Sequence, residues 1–244
     1  MSTALLVLVA ALWGAAAGTL LPRAAHRFSV PSGEAWRKEC PGGHPIHGWV
    51  GRARCGECAR EASSYGPSTL LLSLSTALVC AALAAATGTR PELVVWLLLA
   101  PVGVLLAVVD FRVQRLPDAL TLPLAAAALA LLGLAALAPE HAGDWLTALY
   151  GALALGGGYF VLFLINPSGM GFGDVKLALG TGAVLGWYGW PTVLLGTFAG
   201  FLFGAVYGGV LVVARGAGRK TSIAFGPFLI AGAFAGLLIG AYTA

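Results

Sequence analysis

The sequence predicts an all-α polytopic membrane protein with about eight transmembrane helices and one small polar insert after the first helix. Hydrophobic residues make up 59% of the 244 residues and charged residues only 10%, whereas a soluble domain carries about 25% charged residues. Mean hydropathy is +0.88. The apolar residues also fall into runs close to the length of a spanning helix, about 20 residues.

Eight such runs follow one another, near 4–21, 69–87, 92–109, 119–138, 145–165, 174–188, 192–214 and 223–243. The first run lacks a preceding basic segment and an obvious cleavage site before Leu21, so we interpret it as a span and not as a signal peptide. The sixth run is short, because a helix from Asp174 to Tyr188 rises only about 21 Å. We therefore expect the loop before it, or the Gly189-Trp190-Pro191 break after it, to dip into the membrane.

Three parts follow from these runs: a first transmembrane helix over 1–21, an insert over 22–68, and a seven-helix membrane domain over 69–244. All of the 14 Lys and Arg residues except Arg90 fall on the side of the membrane that holds the insert. The positive-inside rule places that side in the cytoplasm and both termini outside. The basic residues are scattered over loops, so the net charge of +4 indicates contact with lipid head groups and not nucleic-acid binding.

Two aspartates stand at the cytoplasmic ends of predicted membrane helices. Asp110 ends the third run and Asp174 begins the sixth. Ionisable groups near membrane depth are costly and indicate function. Two carboxylates that share a site hold one proton between them. The ionised carboxylate can then activate a water, while the protonated one polarises or protonates a scissile amide. The pair therefore predicts hydrolysis of a peptide bond without a metal or a covalent intermediate.

Each aspartate alone also has a structural interpretation. Asp110 could pair with Arg112 or Arg115, and Asp174 could cap the N-terminus of the sixth helix, where negative charge is favoured. Asp118 follows a proline and precedes an apolar run, so we expect it to be an N-cap. Lys176 could pair with Asp174 or extend to the membrane interface.

The loop before Asp174 is rich in glycine, with Gly169, Gly171 and Gly173 at alternate positions. Glycine lets the backbone approach a substrate closely and take positive φ angles. We expect this loop to face the substrate.

The residues around both aspartates resemble the type IV prepilin peptidases of the GxGD aspartic peptidase group. GFGDVKL at 171–177 is similar to the family's GxGDxKL, and VDFRVQRLPDALTLP at 109–123 is similar to its first-aspartate motif. IAFGPFL at 223–229 resembles the family's IPFGPFL, with Ala224 in place of proline. The resemblance implies that Asp110 and Asp174 are the catalytic pair, with Gly171, Gly173 and Lys176 supporting the active-site loop.

The resemblance also implies a reaction and a place. Such enzymes cut the basic leader from prepilins, or from the pseudopilins of type II secretion, at the cytoplasmic face of the bacterial inner membrane. Proteolysis needs no cofactor. Many members also methylate the new N-terminus with S-adenosylmethionine, and this second activity stays open here. The sequence identifies neither the particular pilin-like substrate nor the oligomeric state.

The insert carries three of the four cysteines, and a cytoplasmic location disfavours a structural disulfide. Cys55-Gly-Glu-Cys58 is an intact Cys-x-x-Cys pair of the kind that family members carry twice, whereas the first pair is reduced here to Cys40 with His44 nearby. Cys40, His44 (or His47), Cys55 and Cys58 are plausible ligands of a structural Cys₃His zinc site, with free thiols as the alternative. Cys80, inside the second run, is expected to pack as a small apolar side chain.

Two other classes of protein remain. A transporter or channel could use Asp110 and Asp174 as a proton or cation relay, but transporters place such groups near the midplane and contain internal repeats. A non-catalytic assembly factor could dock through the insert, but it would leave the carboxylate pair without a purpose.

Overall fold

The structure is a computed structural model that describes residues 2–58, 64–167, 169–215 and 224–244. These ranges contain eight helices and no β-strand, which confirms the predicted class. The helices are α1 (Thr3–Phe28), α2 (Thr69–Thr87), α3 (Glu92–Val113), α4 (Asp118–Ala135), α5 (Trp145–Ile165), α6 (Phe172–Gly186), α7 (Trp190–Arg215) and α8 (Gly226–Thr243).

Seven of these helices are long and apolar enough to cross a membrane, and α6 is the exception. With 15 residues, α6 rises about 22 Å, less than the hydrocarbon thickness of about 30 Å. It packs against α4, α5, α7 and α8, and ten of its 15 residues are buried. Protein therefore surrounds this short helix, while large apolar side chains on the outer helices, such as Leu78 and Phe198, are exposed as expected for a lipid-facing surface.

Small residues let the helices approach one another closely, as is typical of membrane bundles. A Cβ added to Gly151 of α5 would lie 2.5 Å from the carbonyl oxygen of Gly182 in α6. A Cβ on Gly14 of α1 would lie 2.5 Å from the carbonyl oxygen of Thr76 in α2. Cys80 of α2 is fully buried beside Gly14, which confirms its expected role in packing.

The first helix continues through Pro22 to Phe28, beyond the boundary expected at Leu21. Pro22 has no N–H to donate within the helix, but the insert holds the extra turns. Arg23 donates to the backbone carbonyls of His47 and Val50, and Arg27 donates to that of Gly48. The start of the insert is therefore a helical stem, and the rest wraps back onto it.

One end of the bundle gathers the C-termini of α1, α3, α5 and α7 and the N-termini of α2, α4, α6 and α8; we call it the insert end. Asp110 and Asp174 both lie at this end, in the last turn of α3 and the first turn of α6. The sequence predicted this placement.

Candidate active site and metal site

Asp110 is buried where α3 meets α8, with only 4% of its surface exposed. Its Oδ2 accepts a hydrogen bond of 3.0 Å from the backbone N–H of Gly226, the first residue of α8. The first N–H groups of a helix have no partner within the helix and carry partial positive charge. Neither Arg112 nor Arg115 forms an ion pair with Asp110 in the part of the chain that the structure describes. The surroundings of Asp110 thus differ from those of an interfacial acid paired with arginine.

Asp174 has a parallel arrangement at the start of α6 and is 6% exposed. Its Oδ2 accepts a hydrogen bond of 3.2 Å from the backbone N–H of Gly171. The capping contact considered for this residue is therefore present. Each of the two aspartates accepts a hydrogen bond from backbone at a helix N-terminus, and one carboxylate oxygen of each is held in place.

Leu116, in the α3–α4 loop, connects the surroundings of the two carboxylates. Its Cδ1 lies 3.1 Å from the position of a Cβ on Gly226 and 3.5 Å from that of a Cβ on Gly173, the neighbour of Asp174. The Asp110 carboxylate also lies within electrostatic range of Asp174. Both aspartates therefore belong to one site at the insert end, with Leu116 packed at its edge.

Lys176 does not pair with Asp174 or simply extend to the interface. Its Nζ lies 2.7 Å from Oδ2 of Asp118 and 4.8 Å from the centre of the Phe172 ring. Asp118 is likewise not the N-cap of α4, because Pro117 occupies that position and Asp118 is the first helical residue. The ion pair ties the start of α4, which follows the helix that carries Asp110, to the start of α6, which carries Asp174.

The glycines before Asp174 act through their small size and not through positive φ angles. Gly171 has φ −74°, and neither Gly169 nor Gly173 is among the positive-φ residues of the described chain. A Cβ on Gly173 would lie 2.8 Å from Cβ of Leu116, and a Cβ on Gly169 would clash with the Asn166 side chain. The expectation of left-handed backbone here was wrong, because close packing alone accounts for these two glycines.

Three residues near the two aspartates were not identified from the sequence. Gly226 holds Asp110, and its position inside IAFGPFL was the signal that could have identified it. Leu116 had no signal of its own beyond lying inside the first-aspartate motif. Tyr159 of α5 is 1% exposed and lies within electrostatic range of Asp174, and an aromatic residue in an apolar run offered no signal.

The second cluster of functional groups lies in the insert. Nδ1 of His44 lies 3.6, 3.5 and 3.4 Å from the Sγ atoms of Cys40, Cys55 and Cys58, and the Cys40 and Cys58 sulfurs are 3.5 Å apart. All four ligand atoms lie within 4.8 Å of one another. His47, the alternative ligand, is not in this group; its carbonyl oxygen accepts from Arg23.

These distances suit a tetrahedral zinc ion. Zn–S bonds of about 2.3 Å and Zn–N bonds of about 2.0–2.1 Å place sulfur and nitrogen about 3.6 Å apart and two sulfurs about 3.8 Å apart. Nε2 of His44 lies 3.8 Å from Oε2 of Glu57, and a carboxylate at the second ring nitrogen is a common way to orient a ligating histidine.

The cysteine thiols of this cluster differ in pKa. Burial acts to raise the pKa of Cys40, but hydrogen bonds from the His44 backbone and from Cys58 outweigh burial and lower it to about 6. Hydrogen bonds with Cys55 and Cys40 raise the pKa of Cys58 to about 12.

Comparison with known proteins places the chain in a family. A family model described as the type IV leader peptidase family matches residues 93–209, which include both aspartates and exclude the insert. Proteins named prepilin leader peptidase/N-methyltransferase are similar over most of the chain. The Aeromonas salmonicida (strain A449) protein is 35% identical over 207 residues, 80% of this chain and 66% of the relative.

Two further proteins of the same name extend the comparison. The Pseudomonas aeruginosa protein is 32% identical over 216 residues, 82% of this chain and 71% of the relative. The Stutzerimonas stutzeri protein is 28% identical over 266 residues, 96% of this chain and 91% of the relative. The chain thus spans just under two thirds of the Aeromonas salmonicida relative and more of the other two. No solved structure matches this chain. Its family is nevertheless clear from these relatives: the chain belongs to the type IV leader peptidase family.

Proposed function

We propose that the protein is an aspartic endopeptidase that removes the leader from prepilins or pseudopilins, with Asp110 and Asp174 as its catalytic pair. The observation that carries the proposal is that two buried carboxylates lie at the same end of the bundle, within electrostatic range of each other, with one oxygen of each fixed by a backbone N–H. The names of the relatives supply the substrate class.

The two carboxylates suit an attack by water on a peptide carbonyl. Two neighbouring negative charges repel, so the pair holds one proton. The ionised aspartate takes a proton from water as the water oxygen attacks the carbonyl carbon, and the protonated aspartate gives its proton to the amide nitrogen as the C–N bond breaks. The products are a carboxyl group on the leader and a free amine on the mature protein. The pair titrates jointly, so neither aspartate is assigned the proton.

An apolar crevice beside the site suits the hydrophobic segment that follows the leader. A cavity of about 410 Å³ opens between α2, α3, α4, α6 and α8, and its wall is almost entirely apolar. Phe111 and Pro227 line its insert end, next in sequence to Asp110 and Gly226, and Leu177 lies one turn after Asp174. We propose that apolar side chains of the substrate occupy this crevice during cleavage.

The insert end is proposed to face the cytoplasm, because nearly all Lys and Arg residues of the sequence fall in or beside the segments joined to that end. The basic leader of an inserted prepilin would then emerge beside the aspartates. A proton or cation relay is less well supported, since both acids lie at one end of the bundle and not at its midplane.

The insert is proposed to bind one structural zinc ion through Cys40, His44, Cys55 and Cys58, whose spacing fits tetrahedral coordination. Purified protein should contain about one zinc per chain by elemental analysis. Cys58→Ser should lose most of it, whereas Cys80→Ser, which changes a buried cysteine of α2, should keep it. Equal zinc content in both variants, or none in the wild type, would remove the zinc assignment.

Methylation of the mature N-terminus with S-adenosylmethionine is proposed as a second activity, because the relatives carry N-methyltransferase in their names. Transfer of labelled methyl groups from S-adenosylmethionine to an already cleaved pilin peptide tests it without cleavage. Absence of transfer by cleavage-competent enzyme would argue against this activity.

Cleavage itself is tested by co-expression with a pseudopilin. Asp110→Asn and Asp174→Asn should each leave the leader uncut while the protein still inserts into the membrane. Asp144→Asn is the matched control, because Asp144 caps α5 at the opposite end by accepting from the Thr147 N–H at 2.8 Å. Normal processing by both Asp110 and Asp174 variants would disprove the proposed function.

A further inference from the structure

Tyr159 of α5 is a buried polar residue that has no role in the proton transfers proposed above. Its hydroxyl is buried, and it makes no hydrogen bond to any part of the chain that the structure describes. Buried polar groups are almost always hydrogen-bonded, and an exception calls for an explanation such as a catalytic role. Among the described residues, Thr87 Oγ1, Glu92 Oε2 and Trp187 Nε1 also lack such a bond, but they lie at the end of the bundle away from the aspartates. Nε of Arg23 and Nε of Arg27 lack one too, but their guanidinium groups already donate to backbone carbonyls of the insert.

The packing of α5 against α6 places Tyr159 beside the candidate active site. Gly156 of α5 packs directly against Leu179 of α6. The two helices run in opposite directions, so Tyr159, one turn nearer the insert end, lies beside the first turn of α6, which carries Asp174. The phenol is accordingly within electrostatic range of the Asp174 carboxylate.

Aromatic contacts with α7 and with the residue before α8 also hold the Tyr159 ring in place. The Tyr159 ring stacks on Phe201 of α7 with centroids 5.9 Å apart and contacts Phe225 at 6.1 Å. Phe225 directly precedes Gly226, whose N–H holds Asp110. Tyr159 also packs in the same buried cluster as Leu116 and Val175. The phenol is thus fixed between the segments that position both aspartates.

A rigid, buried O–H donor beside the Asp174 carboxylate suits one step of peptide hydrolysis. When water attacks, the carbonyl oxygen gains negative charge and needs a hydrogen-bond donor already aimed at it. We propose that the Tyr159 hydroxyl donates a hydrogen bond to the carbonyl oxygen of the scissile peptide bond and stabilises the tetrahedral intermediate. The phenol keeps its proton throughout, so the proton transfers assigned to Asp110 and Asp174 are unchanged. This inference rests on the proposed peptidase function.

Tyr159→Phe separates this role from a structural one. It preserves the ring contacts and removes a buried hydroxyl that has no partner in the described chain, so the melting temperature should be unchanged or higher. Loss of one oxyanion donor lowers kcat by about 10²–10³-fold, and KM should stay within about threefold because the donor acts mainly in the transition state.

Tyr188→Phe is the matched control. Tyr188, in the turn after α6, is partly buried, and its hydroxyl donates to Oε1 of Glu92 at the far end, at 3.3 Å. This control should lower the melting temperature and leave kcat unchanged. The two variants are therefore expected to have opposite effects: Tyr159→Phe lowers kcat without lowering the melting temperature, and Tyr188→Phe lowers the melting temperature without lowering kcat.

The experiment measures kcat, KM and melting temperature of wild type, both tyrosine variants and Asp174→Asn in detergent, with a purified prepilin as substrate. A wild-type kcat in Tyr159→Phe would overturn the role of Tyr159. So would a result in which both tyrosine variants lose kcat and melting temperature to the same extent. If the wild type cleaves and Asp174→Asn does not, the peptidase function stands whatever Tyr159→Phe shows. If the wild type does not cleave prepilin, both proposals fail.

Discussion

Gly226→Ala tests how strictly the Asp110 carboxylate is positioned. A Cβ at residue 226 would lie 2.7 Å from Oδ2 of Asp110 and 3.1 Å from Cδ1 of Leu116. Ordinary contact begins at 3.4 Å, so the carboxylate or the start of α8 must shift by about 0.7 Å, the difference between 3.4 and 2.7 Å. A shift approaching 1 Å can cost about 100-fold in rate when it displaces a reacting group.

Overpacking of this kind costs about 1–3 kcal/mol, which is less than the stability of folded proteins, about 5–15 kcal/mol. The variant should therefore fold and insert, and its cleavage of a purified prepilin in detergent should fall by about 100-fold. Gly157→Ala is the control, because a Cβ there meets no atom within 4 Å, and it should cleave at the wild-type rate. Wild-type cleavage by Gly226→Ala would refute the reasoning that Gly226 positions Asp110.

Three further predictions concern the surroundings of the pair. Lys176→Met breaks an ion pair whose acidic partner, Asp118, has a 61% exposed side chain. Such pairs contribute at most about 1 kcal/mol, so the cleavage rate should fall less than about tenfold. Complete loss of cleavage would instead give Lys176 a direct catalytic role. Arg115→Ala removes a guanidinium that donates to the Pro31 carbonyl at 2.7 Å and lies 4.3 Å from the centre of the Trp36 ring. A loss of about 1 kcal/mol should speed trypsin digestion of the insert about fivefold, whereas Arg112→Ala should not, and equal digestion of both variants would contradict the docking role of Arg115. Gly103→Phe should fill the apolar crevice and raise KM for prepilin; an unchanged KM would place the substrate elsewhere.

The helices were predictable because the membrane imposes a simple pattern of apolar runs. The placement of Asp110 and Asp174 at one end followed from counting spans, and the structure agrees. The sequence also indicated that α6 is short, since Gly189 and Pro191 interrupt the run. What the sequence did not reveal is that α6 is enclosed by other helices, because buried and lipid-facing helices are equally apolar.

Contacts between distant segments were the part that sequence reasoning missed. Lys176 lies two residues from Asp174, yet its partner is Asp118, because a helix points neighbouring side chains in different directions. The hydrogen bond from Gly226 to Asp110 joins residues more than one hundred positions apart. The metal cluster was partly predictable from Cys-x-x-Cys, but the choice of His44 over His47 depends on how the insert folds back onto α1.

The most direct test of the central claim is a kinetic double-mutant comparison of the two aspartates. Cleavage rates of Asp110→Asn, Asp174→Asn and the double variant would be measured on one prepilin substrate, with equal amounts of inserted protein. Residues that act as one unit are strongly non-additive, so each single variant should lose at least about 1000-fold and the double variant should be no slower than the slower single one. Near wild-type cleavage by either single variant, or losses that multiply in the double variant, would contradict a shared catalytic pair.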